Sequence, residues 1–124
     1  MTDLTGDVRP PKIGVQADRT ATIRRLNDAF RKSEAGGIAA VTPGIKALGM
    51  DALATIVVAV RDYDGFSADN DPYGEHDMGT LFHAGERVFW KIDYYDNELL
   101  YGSPDPADPT VTTRVLTIML SSEY

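Results

Sequence analysis

Three acids, an amide, a histidine and a tyrosine crowd into "NDPYGEHDMG", residues 70–79. Glu75, His76 and Asp77 supply two carboxylates and an imidazole, the side chains from which a general acid–base centre or an oxygen-and-nitrogen metal site is assembled. Pro72 pushes Asp71 toward an extended conformation, and Gly74 permits a sharp bend. The acids around them are therefore presented at defined angles. In an extended segment Glu75 and Asp77 share one face and His76 faces the other way. A metal site here would need help from outside, for example from Asp93 or Asp96. A calcium-loop reading can be tested by position. Counting from Asp69, Asp71 stands third and Gly74 sixth, as required, but Tyr73 stands fifth and Thr80 twelfth, where a bidentate glutamate belongs. That reading fails. Without a partner motif, the same acids also serve as turn-formers and solubilising groups.

A second polar stretch, "FWKIDYYDNE", spans residues 89–98. Lys91, Asp93 and Tyr95 alternate with Trp90, Ile92 and Tyr94, so a strand here has a polar and an apolar face. Lys91 and Asp93 are two apart on one face and can pair. Tyrosine beside carboxylate also makes a good protein contact, because tyrosine is enriched among binding hot spots. Nucleophilic hydrolysis finds no support: no serine lies in a Gly-x-Ser-x-Gly elbow, and there is no cysteine. Neither a Walker loop nor a dinucleotide fingerprint is present, so no cofactor is expected.

The elements that must position these residues follow from periodicity. Residues 1–17 contain Pro10-Pro11 and no repeat, and read as a flexible arm, with a single domain over 18–124. Asp18 is a candidate cap for a helix carrying Ile23, Leu26 and Phe30 on one side and Arg24, Arg25, Asp28, Arg31 and Lys32 elsewhere, ended by Gly36-Gly37. Ile38 to Val41 fit a buried strand. Leu53, Ile56, Val57 and Val60 form one stripe of a second helix, which stops before the acidic loop. Ala84-Gly85-Glu86 signals a hairpin, with a strand over 87–95 and a third strand returning at Leu99 to Tyr101. After the prolines of "GSPDPADP", Val111, Val115, Ile118 and Met119 suggest a closing helix. The order is α-β-α-β-β-β-α. This is an α+β, two-layer domain in which about three helices pack on a small antiparallel sheet of about four strands, including an 80–102 meander.

Bulk properties bound the rest. A chain of 124 residues with 43% hydrophobic and 25% charged side chains is an ordinary globular domain, able to bury a core without staples. Absence of cysteine excludes disulfides and thiolate sites. No apolar run approaches the roughly 20 residues of a membrane span, and no apolar leader opens the chain, so a cytoplasmic protein is expected. Residues 1–61 hold nine Lys/Arg and six Asp/Glu, a balance of +3, whereas residues 62–124 hold three and thirteen, a balance of −10. The acidic half repels phosphate backbones and argues against direct nucleic-acid binding.

The pieces "IRRLNDAFR", "NDPYGEHDMG", "WKIDYYD" and "SPDPADP" are specific enough to carry a resemblance over residues 20–124. The chain resembles a family of small proteins of alphaproteobacteria and their plasmids, catalogued as a domain of unknown function. The resemblance implies a cytoplasmic bacterial protein associated with mobile elements, and it transfers no catalytic residue. Taken together, the leading expectation is a non-enzymatic accessory module that binds a protein partner. Its contact residues would be Asp71, Tyr73, Glu75, His76 and Asp77 in the loop, with Asp93, Tyr95 and Asp96 on the strand and turn. One alternative is a small metal-dependent or acid–base enzyme centred on residues 71–77 and Asp93. Another is a DNA mimic that presents carboxylates to a basic, nucleic-acid-binding partner.

Overall fold

The structure is a computed structural model that describes residues 12–33 and 35–124. Its elements are α1 (Lys12–Ser33), β1 (Gly37–Val41), α2 (Pro43–Lys46), α3 (Met50–Arg61), β2 (Met78–His83), β3 (Glu86–Tyr95) and β4 (Thr113–Leu120), followed by a 3-10 turn, Ser121–Glu123. Of the arm expected over 1–17, residues 1–11 lie outside the described residues, and α1 already runs from Lys12. The four strands form one sheet in the order β1-β4-β3-β2. β1 runs parallel to β4, and the other two pairings are antiparallel. The sheet is therefore mixed, and the fold is α+β.

Helices cover one face. Phe30 of α1, Ile45 of α2, and Ile56 and Val60 of α3 pack on Val88, Trp90 and Ile92 of β3 and Leu116 and Ile118 of β4. α3 uses the stripe expected of it. Along β3, Val88, Trp90 and Ile92 are buried and their neighbours less so, which is the period of two. Two glycines let the layers close. A Cβ at Gly37 would stand 2.3 Å from the Arg114 carbonyl oxygen, and one at Gly79 would stand 2.6 Å from the Trp90 indole nitrogen. The β2–β3 hairpin turns at Ala84 and Gly85, with φ of 49° and 82°. Two successive positive values give the turn whose twist matches the strands.

Four expectations are corrected. β1 is an edge strand with Ile38, Ala39 and Ala40 exposed instead of a buried strand, and Asp18 lies within α1 instead of capping it. Residues 113–120 are a strand, not a closing helix. Arg114, Leu116 and Ile118 alternate inward, and β4 is held between β1 and β3. The helical stripe that Val111, Val115, Ile118 and Met119 suggested competes with this alternation in a run rich in Thr, Val and Ile, which favour strands. The return at Leu99 to Tyr101 is a compact turn instead of a third strand. The Asp96 N–H donates to the Tyr101 carbonyl, the Asp96 carboxylate accepts from the Leu100 N–H, and Leu99 takes a φ of 61°. Only the Tyr95–Gly102 bridge remains of that pairing.

Candidate functional site

α1 brings the unexpected chemistry. Ile23, Asn27 and Arg31 recur every four residues and so share one face. That face is turned inward: Asn27 is 0% exposed and Arg31 is 1% exposed. The Arg31 Nε donates to the Val60 carbonyl at 3.0 Å, and its terminal nitrogens donate to the Tyr63 carbonyl at 3.2 Å and to Asp28 Oδ1 at 3.0 Å. The guanidinium thus satisfies carbonyls at the C-terminal end of α3, where a helix leaves acceptors unpaired and favours a cation. It also lies over Phe66 and Trp90, 5.3 and 5.2 Å from their ring centres. The inward position of Arg31 was not visible on the helical wheel, which set Arg31 apart from the apolar side.

Asn27 is the hub of a second network. Its amide nitrogen donates to the Glu75 carbonyl at 2.9 Å and to the Tyr94 hydroxyl at 2.8 Å. Its amide oxygen accepts from the Arg114 Nε at 2.7 Å. The Tyr94 hydroxyl in turn donates to Glu75 Oε1 at 2.7 Å. Among the described residues, no buried side-chain polar atom of these four residues lacks a partner, as burial requires, whereas the nearby Trp90 Nε1 does lack one. Burial, followed by the Glu75 carboxylate, pushes the Tyr94 phenol up. Burial lowers Arg114, against the opposing pull of Tyr94 and Glu75.

The acidic loop between α3 and β2 is therefore clamped from inside. Arg24 donates to the Gly74 carbonyl at 2.8 Å. The Asp71 carboxylate, 8% exposed, accepts the His76 N–H at 3.2 Å, which holds His76 at a φ of 55°. The His76 Nδ1 lies 2.9 Å from Asp28 Oδ1, and its Nε2 lies 3.7 Å from Asp71 Oδ2. Phe66 stacks flat on the imidazole at 3.7 Å. Asp28, Arg31, Tyr63, Phe66 and His76 border a cleft of about 360 Å³. A carboxylate on Nδ1 orients an imidazole as in a general base. Here the other nitrogen points to a second carboxylate, so the ring is held between Asp28 and Asp71.

Of the residues singled out in the sequence, Asp71, Glu75 and His76 join this buried assembly. Asp77 is half-buried beside it, and burial, then Glu75, raises its pKa. Tyr73 projects outward at 79% exposure. Asp93 and Tyr95 lie across the sheet: they pair with Val115 and Thr113, out of phase with the buried Ile92. Asp93 forms the ion pair with Lys91 that their spacing suggested. Asp96 works in its own turn. Asp93, like Glu75 and Asp71, bears on Asp77 electrostatically, while its ion pair is with Lys91. Among the described residues, no group of three or more His, Asp or Glu side chains is arranged to hold a metal ion. Asn27, Asp28, Arg31 and Arg114 were missed. Asn27, one helical step from Ile23 on the apolar side, was the signal available.

Many acids of the second half are engaged internally. Asp71, Glu75, Asp96, Asp105, Asp108 and Glu123 accept hydrogen bonds, and Asp93 is paired. The Glu123 carboxylate accepts from Thr42 Oγ1 at 2.6 Å, the Gly44 N–H at 3.0 Å and the Leu120 N–H at 2.8 Å, and these bonds hold it below its ordinary range. The Arg19 bond lowers Asp105 likewise.

With this geometry in hand, comparison with known proteins places the chain in a family. A family model described as "Protein of unknown function (DUF3768)" matches residues 41–123, and the chain belongs to that family. The matched stretch contains "NDPYGEHDMG", "WKIDYYD" and "SPDPADP" and leaves α1 outside. Neither the curated proteins nor the solved structures give a match. Among the described residues no helix is long and apolar enough to cross a membrane.

Proposed function

We propose that this protein is a non-enzymatic module that binds another protein through the end of the domain where the acidic loop meets the 96–102 turn. Met78 faces Lys91 and Tyr95 faces Thr113, so the loop entering β2 and the turn leaving β3 lie at the same end of the sheet. The observation that carries the reading is a set of exposed apolar side chains on fixed backbone. Tyr73 is 79%, Leu100 67% and Tyr101 74% exposed. The segments that bear them are tied down by Asn27, Arg24, Asp71 and Asp96. Large side chains held in place before contact lose little entropy on binding, which is how hot spots gain affinity. Of the candidates named from the sequence, Tyr73 is the one that stands outward, with Tyr95 and Asp96 near the turn.

The enzyme reading draws on the Asp28–His76 pair beside its cleft. It is the weaker one, because both imidazole nitrogens face carboxylates of the chain itself. The DNA-mimic reading requires free carboxylates in a row, and several of the acids are committed to internal bonds.

The test is a triple substitution, Tyr73→Ser with Leu100→Ser and Tyr101→Ser. Partner capture by the tagged protein from its source cells should be lost while the melting temperature stays close to wild type. Undiminished capture by the folded variant would remove the proposal. Alanine at Glu75, His76 and Asp77 is the poorer probe, since Glu75 and His76 hold the fold.

A further inference from the structure

The sheet has two edges, and they are treated differently. Along β2, Tyr63, Asp69, Asn70 and Pro72 of the acidic loop lie beside Met78 and Thr80, bounding a cleft. A proline and an acid next to an edge strand are common guards against unwanted pairing. β1 has none of this. Its sequence, Gly37-Ile-Ala-Ala-Val41, contains no charge and no proline. Ile38, Ala39 and Ala40 are all exposed, although they alternate between the two faces of the sheet. The helix layer therefore stops short of Ala39, the neighbour of buried Leu116.

Among the described residues, the backbone along β1 is also free on its outer side. Thr42 donates its N–H to the Ile118 carbonyl at 3.1 Å. Hydrogen-bonding direction alternates along a strand, so Ile38 and Ala40 likewise turn toward β4, and Gly37, Ala39 and Val41 turn their N–H and C=O groups outward. Among the described residues no partner meets those groups on that side.

We infer that β1 pairs with β1 of a second copy of this chain, antiparallel about a twofold axis at Ala39, to form a continuous eight-stranded sheet. Three arguments select a second copy as the occupant. Pairing about Ala39 sets Gly37 opposite Val41, so every outward donor and acceptor of the segment meets one on the partner, as an isologous contact demands. On the open face each Ile38 then lies opposite Ala40, large against small. Charge points the same way: self-association brings like surfaces together, and a chain of net charge −7 meets itself at least cost where the strand is uncharged and its half of the chain is not acidic. This surface is separate from the loop-and-turn end proposed above for a partner, so either proposal can fail alone.

Sedimentation of the full chain over a wide concentration range tests it. Wild type should sediment at twice the chain mass. Ala39→Pro removes an outward N–H that bonds nothing among the described residues, and proline is tolerated on edge strands. It should weaken the dimer by at least about tenfold while leaving circular dichroism unchanged. If that variant fails to fold, Ile38→Lys, at a position already 41% exposed, should give the same dissociation. Phe82→Lys, on the opposite edge strand, should leave the dimer intact. A wild type that stays monomeric at its solubility limit overturns the proposal. So does a dimer that survives substitution of residues 38 and 39, or one that Phe82→Lys dissociates.

Discussion

Glu75 with Tyr94 and Asp93 with Lys91 are similar couples, a carboxylate beside a donor on β3. Tyr94 and Asp93 are adjacent in the chain, yet the two couples sit on opposite sides of the sheet. On the helix side, the Tyr94–Glu75 bond continues through Asn27 to Arg114, and among the described residues no buried side-chain polar atom of those four residues is left unpaired. On the open side, Lys91 and Asp93 keep side-chain exposures of 28% and 38%, and water screens their pair. The difference teaches that residue type says little about consequence in this protein. The alternation of one strand decides whether a carboxylate anchors a loop or decorates a surface.

Substitutions on each side measure that contrast. The largest effect is expected at Arg31, which serves the inner side. Arg31→Met removes hydrogen bonds to Val60, Tyr63 and Asp28 and leaves buried acceptors unpaired, which should cost about 3 kcal/mol in urea unfolding. A loss below about 1 kcal/mol would show that the guanidinium is not what holds the loop to α3.

A smaller effect of opposite sign is expected at Asp77. Burial raises its pKa in the folded protein, so folding favours the neutral acid. The stability this contributes is present below the unfolded pKa and is lost as pH rises through the folded one. At neutral pH the wild type carries a charge that the fold disfavours. Asp77→Asn should therefore raise the melting temperature by roughly 2 °C at pH 7 and lose that advantage in acid below the ordinary aspartate range. A gain that does not depend on pH would mean the aspartate's charge is not the cause.

The smallest effect belongs to the open side. Asp93→Ala should change stability by no more than about 0.5 kcal/mol, since exposed ion pairs contribute little. A loss approaching that of Arg31→Met would erase the contrast between the two sides.

Much of the scaffold was legible in the chain. The stripe of Leu53, Ile56, Val57 and Val60 has one reading, and α3 follows it. The alternation of Val88, Trp90 and Ile92, with a turn at Ala84-Gly85, marks β3 and its hairpin equally well. The loop at 70–77 was recognisable as shaped, because Pro72 and Gly74 restrict and bend it. The candidate site was legible only in part. His76 and the acids near it were visible, but their partners Asn27, Asp28, Arg31 and Arg114 come from α1 and β4, distant in sequence.

The amino-acid sequence alone determined an α+β chain with an acidic second half, its longer helices, its hairpin and a constrained polar loop. These depend on local conformational preference and on periodicity within one segment. Tertiary structure decided that residues 113–120 are a strand, that Arg31 and Asn27 face inward, and that Asp93 stands apart from Glu75. Each of these depends on what lies alongside. Residues 113–120 admit two periods, and β1 and β3 select between them by supplying hydrogen bonds on both sides. A buried arginine is stable only where carbonyls already wait for it, and the end of α3 provides them.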